Sequence, residues 1–301
     1  MANRREFLTR TAAAAAGLAA AARLDPLLMA APPPWPDLAV VHGADPAKNT
    51  RAALSAVGGM KRFVAKGDVV VVKPNIGWDR TPEQAADTNP HVVAALVAMA
   101  LEAGAKTVKV FDRPCNDPRR CYAQSGIEAA AKAAGAEVTF INDHKFREVA
   151  IPGGVAIQSW PLYTDLLEAD KVINVPIAKT HGTAKLTLGM KNWMGVMGGS
   201  RGRIHQNIGE ALADLATVIH PAVTVLDATR ILTANGPQGG DLKDVKRLDT
   251  IIAGTDVVAV DSYGATLFGL TGSGLAYVAA ASRRGLGQMD LTKLRIQTVQ
   301  A

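Results

Sequence analysis

The sequence predicts an α/β fold, with a mostly parallel sheet covered by helices on both faces and a small antiparallel edge. Short β-branched runs such as Val69–Val72 and Lys171–Val175 alternate with longer segments of helical periodicity. These runs are apolar on both faces, as strands are when helices cover a parallel sheet on both sides. Gly153 and Gly154 interrupt the segment 149–157 in a way typical of a hairpin, which predicts the antiparallel edge.

The predicted elements follow in order from residue 69. Asn89 and Pro90 begin a helix that ends at Gly104, because Asn caps a first turn and Pro suits the position after the cap. Further helices are expected over 125–134, 210–219, 256–268 and 275–284, and further strands over 108–111, 137–141, 223–226 and 250–253. No boundary interrupts the pattern. Residues 38–301 are therefore expected to form a single α/β domain, with at most a small lobe around 184–203.

The first 31 residues have the features of a twin-arginine signal peptide. Arg4 and Arg5 are followed after one residue by Phe7 and Leu8, then by an alanine-rich run and a small-residue stretch that ends at Ala31. A Pro-rich linker follows over 32–37. The alternative is an amphipathic helix with an accidental arginine pair. The apolar run is shorter than the ~20 residues that a spanning helix needs, so no stable transmembrane span is expected.

This signal predicts the partner and the location. The expected partner is the twin-arginine export machinery, and the expected location is the periplasm or the cell exterior. Because this route carries proteins that have already folded, often around a cofactor, it favours a bound cofactor without naming one.

Charge and missing motifs exclude several classes of function. The net charge is +6, of which the predicted signal supplies +2, and no basic run is interleaved with aromatic residues. No nucleic acid partner is therefore expected. The sequence also has no phosphate-binding loop, no dinucleotide fingerprint, no nucleophile elbow and no paired zinc-ligand spacing.

Polar residues stand where several predicted strands end. In open α/β sheets, ligands bind outside the carboxyl ends of the strands, so these residues predict a basic cleft for a small anion. The alternative is that strand ends are polar because they meet water. The candidate residues are Lys73, Asn75, Asp112, Lys179, His181, Lys191, Asn192, Arg203, His205 and Asp227. We expect Lys179 and Arg203 to contact the anion, while the pattern assigns no catalytic residue.

Several segments lie in order along nearly the whole mature chain and resemble the family called domain of unknown function 362. They are Val70–Asn75, Ala169–Pro176, Lys179–His181, Leu188–Asn192, Glu210–Leu215, Asn235–Pro237, Val258–Asp261 and Arg284–Gly287. The resemblance implies little about activity. Some members of the family are described as iron–sulfur proteins, and many of those carry an additional cysteine-rich segment that this chain lacks.

Cys115 and Cys121 are the two cysteines, and they lie in one loop after a predicted strand end. One interpretation is a local disulfide, which suits an oxidising compartment. Two inert thiols, or a single metal ion held by both thiolates and a histidine, are further alternatives. Three flanking arginines favour the thiolate form of both cysteines. A two-fold dimer would bring four such thiolates together, as an iron–sulfur cluster needs. This interpretation predicts a [4Fe–4S] cluster shared between two chains and ligated by Cys115 and Cys121 of each.

Two functional hypotheses follow. The first is an exported iron–sulfur redox protein. Its cluster would bridge a homodimer and lie next to a basic ligand cleft, and the sequence leaves open whether it is an oxidoreductase. The second is a cofactor-free periplasmic enzyme or binding protein for a small carboxylate or phosphate, with a Cys115–Cys121 disulfide. The expected partner is accordingly a redox protein or a small anionic ligand.

Overall fold

The fold is built on a large central sheet. The computed structural model describes residues 34–301, and the predicted signal over 1–31 lies outside them. The strands of the described part are β1 Leu38–His42, β2 Val69–Pro74, β3 Thr107–Val110, β4 Glu137–Val138, β5 Phe146–Ala150, β6 Ser159–Tyr163, β7 Lys171–Val175, β8 Ile177–His181, β9 Lys185–Thr187, β10 Val223–Leu232, β11 Val245–Gly254 and β12 Ile296–Gln300. Residues Trp35–Ala301 pack as one compact unit.

Helices surround this sheet. They are α1 Pro46–Ala56, α2 Pro90–Ala103, α3 Pro118–Gln124, α4 Ile127–Ala133, α5 Thr164–Leu167, α6 Ile208–Ala216, α7 Val257–Thr266 and α8 Ala276–Arg283. Helix α2 begins as the sequence predicts, since the Asn89 side chain accepts a hydrogen bond from the backbone N–H of His91. It ends at Gly104, which has a φ of 107°. No helix among residues 34–301 combines the length and the apolar character needed to cross a membrane.

The central sheet is mostly parallel, which confirms the predicted fold class. Its ten strands run in the order β12-β1-β11-β10-β7-β2-β3-β4, with β8 beside β10 and β9 beside β8. Strand β2 shows why both faces are covered: Val70 and Val72 are buried in one apolar core, and Val71 is buried in the other. Burial of alternate side chains on opposite faces requires helices on both sides of the sheet.

The antiparallel parts differ from the predicted edge. Strands β5 and β6 form a separate two-stranded antiparallel sheet, so the hairpin around Gly153 is real but does not extend the central sheet. Inside the central sheet, β11 is antiparallel to both β1 and β10. The alternating apolar pattern does not reveal this reversal, because a strand buried on both faces has the same pattern in either direction.

Two further expectations concern the segments 125–134 and 184–203. The helix expected over 125–134 forms as α4, Ile127–Ala133, which begins after Gly126 at a φ of 71°. Helix α3 precedes Gly126 and lies before the expected range. The segment 184–203 is not a separate lobe. Its Leu186, Met190 and Trp193 side chains are buried in the same core as α6 and α7.

The order of the strands reverses beside β2. Strands β3 and β4 follow on one side of β2, whereas β7 lies parallel to it on the other side, with Pro74 opposite Val175. A reversal of this kind opens a crevice at the carboxyl ends of the two central strands. The residues that follow β2 and β7 therefore face a common space.

Candidate functional site

A cavity of about 280 Å³ lies at this reversal, outside the carboxyl ends of β2 and β7. Its wall contains Asn75, Gly77, Trp78, Asp112, Arg113, Cys115, Lys179, His181, Thr187, Lys191, Asn192, Met194, Gly195, Arg201, His205 and Pro237. Asp112 is the single carboxylate in this wall, against four lysine or arginine side chains. The cavity therefore has a strongly positive lining.

Lys73 lies behind the wall as part of a closed polar network. Its Nζ atom is 2.9 Å from Oδ1 of Asp112, and it donates to the carbonyl of Pro74 at 2.7 Å and to Oδ1 of Asn192 at 3.0 Å. Burial lowers the pKa of Lys73, and the charge of Asp112 opposes that shift. With three acceptors around one ammonium group, Lys73 has no free donor for a ligand.

Asp112 is equally occupied. Its Oδ2 atom accepts from the backbone N–H of Ile76 at 2.6 Å, and its Oδ1 atom accepts from the backbone N–H of Arg113 at 2.9 Å. A β-carbon at Gly195 would overlap Oδ1 of Asp112, so only glycine allows the loop to pass this close. These contacts make Asp112 a structural anchor of the cavity rather than a free general base.

Lys179 and Asp87 form a second buried network. The Nζ atom of Lys179 donates to Oδ1 of Asn75 at 2.9 Å and to the carbonyl of Ala86. Oδ1 of Asp87 accepts from the backbone N–H of Gly77 at 2.6 Å. Burial lowers the pKa of Lys179 to about 8, a shift that the charge of Asp87 opposes, and burial raises the pKa of Asp87 to about 7.

Lys191 has no comparable partner. It begins a 3-10 turn, Lys191–Val196, and its side chain is only 7% exposed although it lines the cavity. Its Nζ atom donates to the thioether of Met194, at 3.2 Å from Sδ. Burial, reinforced by the charge of Lys179, lowers the pKa of Lys191 to about 7. Within residues 34–301, neither Lys191 nor Arg201 forms an ion pair.

Arg201 holds the loop that carries Cys115. Its Nη1 atom donates to the carbonyls of Arg113 at 2.7 Å and Met194 at 3.0 Å, and its Nη2 atom donates to the carbonyl of Pro114 at 2.8 Å. Its guanidinium group therefore fixes two loops against each other. It also leaves a positive charge at the cavity wall that no carboxylate of the described residues neutralises.

His181 and His205 form a stacked pair in the wall. Their ring centroids are 5.4 Å apart, and the ring planes differ by 13°. Nδ1 of His181 accepts from the backbone N–H groups of Thr183 and Ala184 at 3.1 and 3.2 Å, so the neutral ring has its proton on Nε2. Burial, with the charge of Lys191, lowers the pKa of His181 to about 3, and the ring is neutral near pH 7.

His205 has the opposite tautomer. Its Nδ1 atom lies 2.9 Å from the carbonyl of Gly202, which accepts only a hydrogen bond, so Nδ1 has the proton and Nε2 is an acceptor. Burial lowers the pKa of His205 as well. The pair thus presents one N–H donor and one basic nitrogen, the combination needed to polarise a ligand oxygen and accept a proton nearby.

The two cysteines differ in their surroundings. Both are free thiols, Cys115 exposed and Cys121 buried, so the structure does not contain the predicted disulfide. Cys115 lines the cavity, whereas Cys121 belongs to α3 and packs within the apolar core, where burial raises its pKa to about 12. No group of three or more His, Cys, Asp or Glu side chains among residues 34–301 is placed to hold a metal ion.

Two of the residues predicted for the anion cleft lie away from the cavity. Arg203 contributes to a different depression, beside Trp160 and Ile204. Asp227 is buried inside β10, where its Oδ2 atom accepts from the backbone N–H of Asn89 at 2.7 Å and fixes the start of α2. Burial raises the pKa of Asp227.

Asp87, Trp78 and Pro237 are residues of this region that the strand-end pattern does not predict. Asp87 stands two residues before the helix cap Asn89, so an acidic residue between a strand end and a helix cap was the available signal. Trp78 and Pro237 lie in loops without periodicity, and Pro237 follows a cis peptide bond. Nothing in the local pattern indicates that these loops meet at the cavity.

The fold and this cavity define an α/β protein with a small cavity of positive lining at the strand-order reversal. The chain belongs to the family described as Domain of unknown function (DUF362), whose profile matches residues 70–266. The match spans β2 to α7 and includes every residue of the cavity wall.

Three known proteins illustrate what this chain is similar to. The thylakoid-associated protein sll1697 of Synechocystis sp. is 29% identical over 245 residues, covering 78% of this chain and 74% of that protein. The lactate racemase apoprotein from Thermoanaerobacterium thermosaccharolyticum has 11% identity and a TM-score of 0.48, covering 75% of this chain and 55% of that one. A Thermotoga maritima protein has 13% identity and a TM-score of 0.46, covering 76% of this chain and 60% of that one. At these scores the structural likeness carries no inference about activity.

Proposed function

We propose that the chain binds a small organic anion, a carboxylate or a phosphate, in the cavity between β2 and β7 and acts on it through the His181–His205 pair. The observation that carries this proposal is the burial of Lys191 at the cavity wall without an anionic partner. Burying a cation is costly unless an opposite charge compensates it. A bound anion would provide that charge.

The surrounding groups support the same ligand chemistry. Lys179 donates two of its three N–H groups within the protein, which leaves one for a ligand. His181 presents its Nε2–H, and Arg201 adds positive charge without a carboxylate partner. A cavity of about 280 Å³ lies near the lower end of the range for small-molecule sites, which favours a ligand of few atoms.

Calorimetry with acetate, lactate and inorganic phosphate tests this function. At least one of these anions should bind wild type, and Lys191→Met should weaken that binding by about ten- to a hundredfold, since a charge-assisted hydrogen bond is lost. Lys48→Met removes an exposed lysine outside the cavity and should bind as wild type does. If all three anions fail to bind wild type, or bind both variants equally, the proposal is wrong. Comparing the anions decides between carboxylate and phosphate.

A bridging iron–sulfur cluster is the second candidate, carried by Cys115 in the loop before α3 and Cys121 in α3 itself. The exposed thiol of Cys115, beside the Arg201 guanidinium group at 3.6 Å, favours it. Cys121 is buried, whereas a cysteine that ligates a cluster on the dimer axis has to face the partner chain. The raised pKa of the Cys121 thiol also disfavours the thiolate form that binds iron. The cluster therefore stays a prediction. Anaerobic reconstitution that gives a brown dimer in wild type, and no colour in either Cys115→Ser or Cys121→Ser, would support it. A colourless wild-type monomer would exclude it.

Export by the twin-arginine route is also proposed, from Arg4 and Arg5 with the residues that follow them. The route recognises the guanidinium pair, so replacing both by lysine should retain the protein in the cytoplasm. Cell fractionation measures the outcome. Delivery of the double variant to the periplasm at the wild-type level would refute the assignment.

A further inference from the structure

Three buried lysines lie at or behind the cavity wall, and they differ in their hydrogen-bond and ion-pair partners. Lys73 is paired with Asp112 at 2.9 Å, and Lys179 donates to two oxygen acceptors near the charge of Asp87. The amine of Lys191 donates to a thioether, which is a weak acceptor. Of the three, Lys191 is therefore the amine whose charged form is least stabilised by the protein.

Its neighbours oppose protonation further. Burial and the positive charges of Lys179 and Arg201 outweigh the opposing effect of Cys115, and the pKa of Lys191 is lowered to about 7. A lysine that is desolvated beside other cations is a nucleophile near neutral pH, because much of it holds a free electron pair. An exposed lysine at this pH is protonated in all but roughly one molecule in a thousand.

We propose that Lys191 forms an imine with the carbonyl carbon of a bound 2-oxo acid. This inference rests on the proposed anion site and names its substrate class. The remaining N–H of the Lys179 ammonium group and the positive charge of Arg201 hold the carboxylate, and the carbonyl group lies toward Lys191. A 2-oxo acid is small, anionic and electrophilic, and it matches the cavity in size and charge.

The step balances without any further reactant. The electron pair on Nζ attacks the carbonyl carbon, and the carbon–oxygen π bond opens to give a carbinolamine. The oxygen then leaves as water with the two protons that were on the amine, which gives the neutral imine. Nε2 of His205 is the base that carries a proton from nitrogen to oxygen, and Nε2–H of His181 donates a hydrogen bond to that oxygen.

Reductive trapping tests the proposal. Purified protein is incubated with pyruvate, glyoxylate or oxaloacetate and sodium cyanoborohydride, and peptides are mapped by mass spectrometry. Lys191 should be modified at one group per chain and at least about tenfold faster than exposed lysines such as Lys48. Lys191→Arg keeps the positive charge but has no amine that forms an imine, so it should lose this label. Lactate should compete, because it is a carboxylate without the carbonyl group.

The outcomes separate this inference from the proposed function. Binding of pyruvate and lactate by calorimetry, with labelling spread evenly over surface lysines, would overturn the imine and leave the anion site intact. Absence of binding by pyruvate and lactate would overturn the imine, and absence of binding by acetate and inorganic phosphate as well would overturn the proposed function too. Mapping on wild-type protein decides the matter even if a variant folds poorly.

Discussion

Lys73 and Lys191 are buried lysines on two sides of the same cavity wall, and the comparison between them shows how a lysine becomes structural or available. Lys73 has a carboxylate at 2.9 Å and two further oxygen acceptors, whereas Lys191 has a thioether at 3.2 Å. Burial lowers the pKa of both amines, and at Lys73 the charge of Asp112 opposes that shift. The paired lysine supports the fold, and the other is the one to which the proposed anion would bind.

The largest expected effect is on stability and concerns the paired lysine. Lys73→Met leaves the Asp112 carboxylate buried without its cation, which typically costs about 3–5 kcal/mol of unfolding free energy. Urea denaturation followed by circular dichroism measures the loss. Lys48→Met is the matched control and should change stability by less than about 0.5 kcal/mol.

The double variant sharpens this prediction. Combining Lys73→Met with Asp112→Asn removes both charges, so it should recover part of the stability that Lys73→Met loses. A Lys73→Met protein as stable as wild type would show that Lys73 is not the structural member of the comparison.

Lys191→Met should behave in the opposite way. It removes a poorly stabilised amine and keeps a flexible apolar side chain, so the unfolding free energy should change by less than about 1 kcal/mol. The same urea experiment measures it beside Lys73→Met. A loss as large as that of Lys73→Met would mean that Lys191 has a structural partner, and the contrast between the two lysines would fail.

Much of this arrangement could be predicted from the sequence because strand ends are readable. The valine run of β2 and the β-branched run of β7 mark the strands, and Lys73, Asn75 and Lys179 follow these apolar runs, with Lys73 still inside β2. The parallel order then brings their side chains to one edge of the sheet. Whether one of these lysines has a carboxylate partner depends on where Asp112 and Asp87 lie. Those contacts join segments that are distant in the sequence, so no local pattern encodes them.

Asp227 shows where the strand-end rule fails. The expected strand over 223–226 extends to Leu232 in the structure, so Asp227 lies inside β10 rather than at its end. Its carboxylate caps backbone N–H groups instead of facing the cavity. An apolar run in the sequence shows where a strand begins. The first polar residue after that run does not show where the strand ends, because a buried polar residue with hydrogen-bond partners can lie inside the strand.

The pH dependence of anion affinity probes the free lysine directly. An anion binds the protonated amine more tightly, so binding raises the pKa of Lys191 and takes up a proton. Affinity for acetate should therefore be constant below the pKa of about 7 and fall as pH rises through it, by up to about tenfold per pH unit. The charged and titratable groups acting on this amine are Lys179, Arg201, Cys115, His181 and His205.

Calorimetry from pH 6 to 9 measures this dependence. Lys179, with a pKa of about 8, adds a second decline at higher pH. Lys191→Arg keeps its charge throughout this range and should remove the first decline only. An affinity that rises with pH would have the wrong sign and would contradict the assignment.

The smallest expected effect separates two arginines that are two residues apart on the same 3-10 segment, Arg201–Asn207. Arg201 lines the cavity and bonds the carbonyls of Arg113, Met194 and Pro114, whereas Arg203 lies in a different depression. Arg201→Ala should therefore weaken acetate binding by about tenfold, through the lost charge and a loosened loop. Arg203→Ala should change it by less than about twofold, as surface substitutions away from a site do. Calorimetry of both variants at pH 6 measures the contrast. Equal losses would restore Arg203 as an anion contact, because the 3-10 turn would then have to place both guanidinium groups toward the ligand.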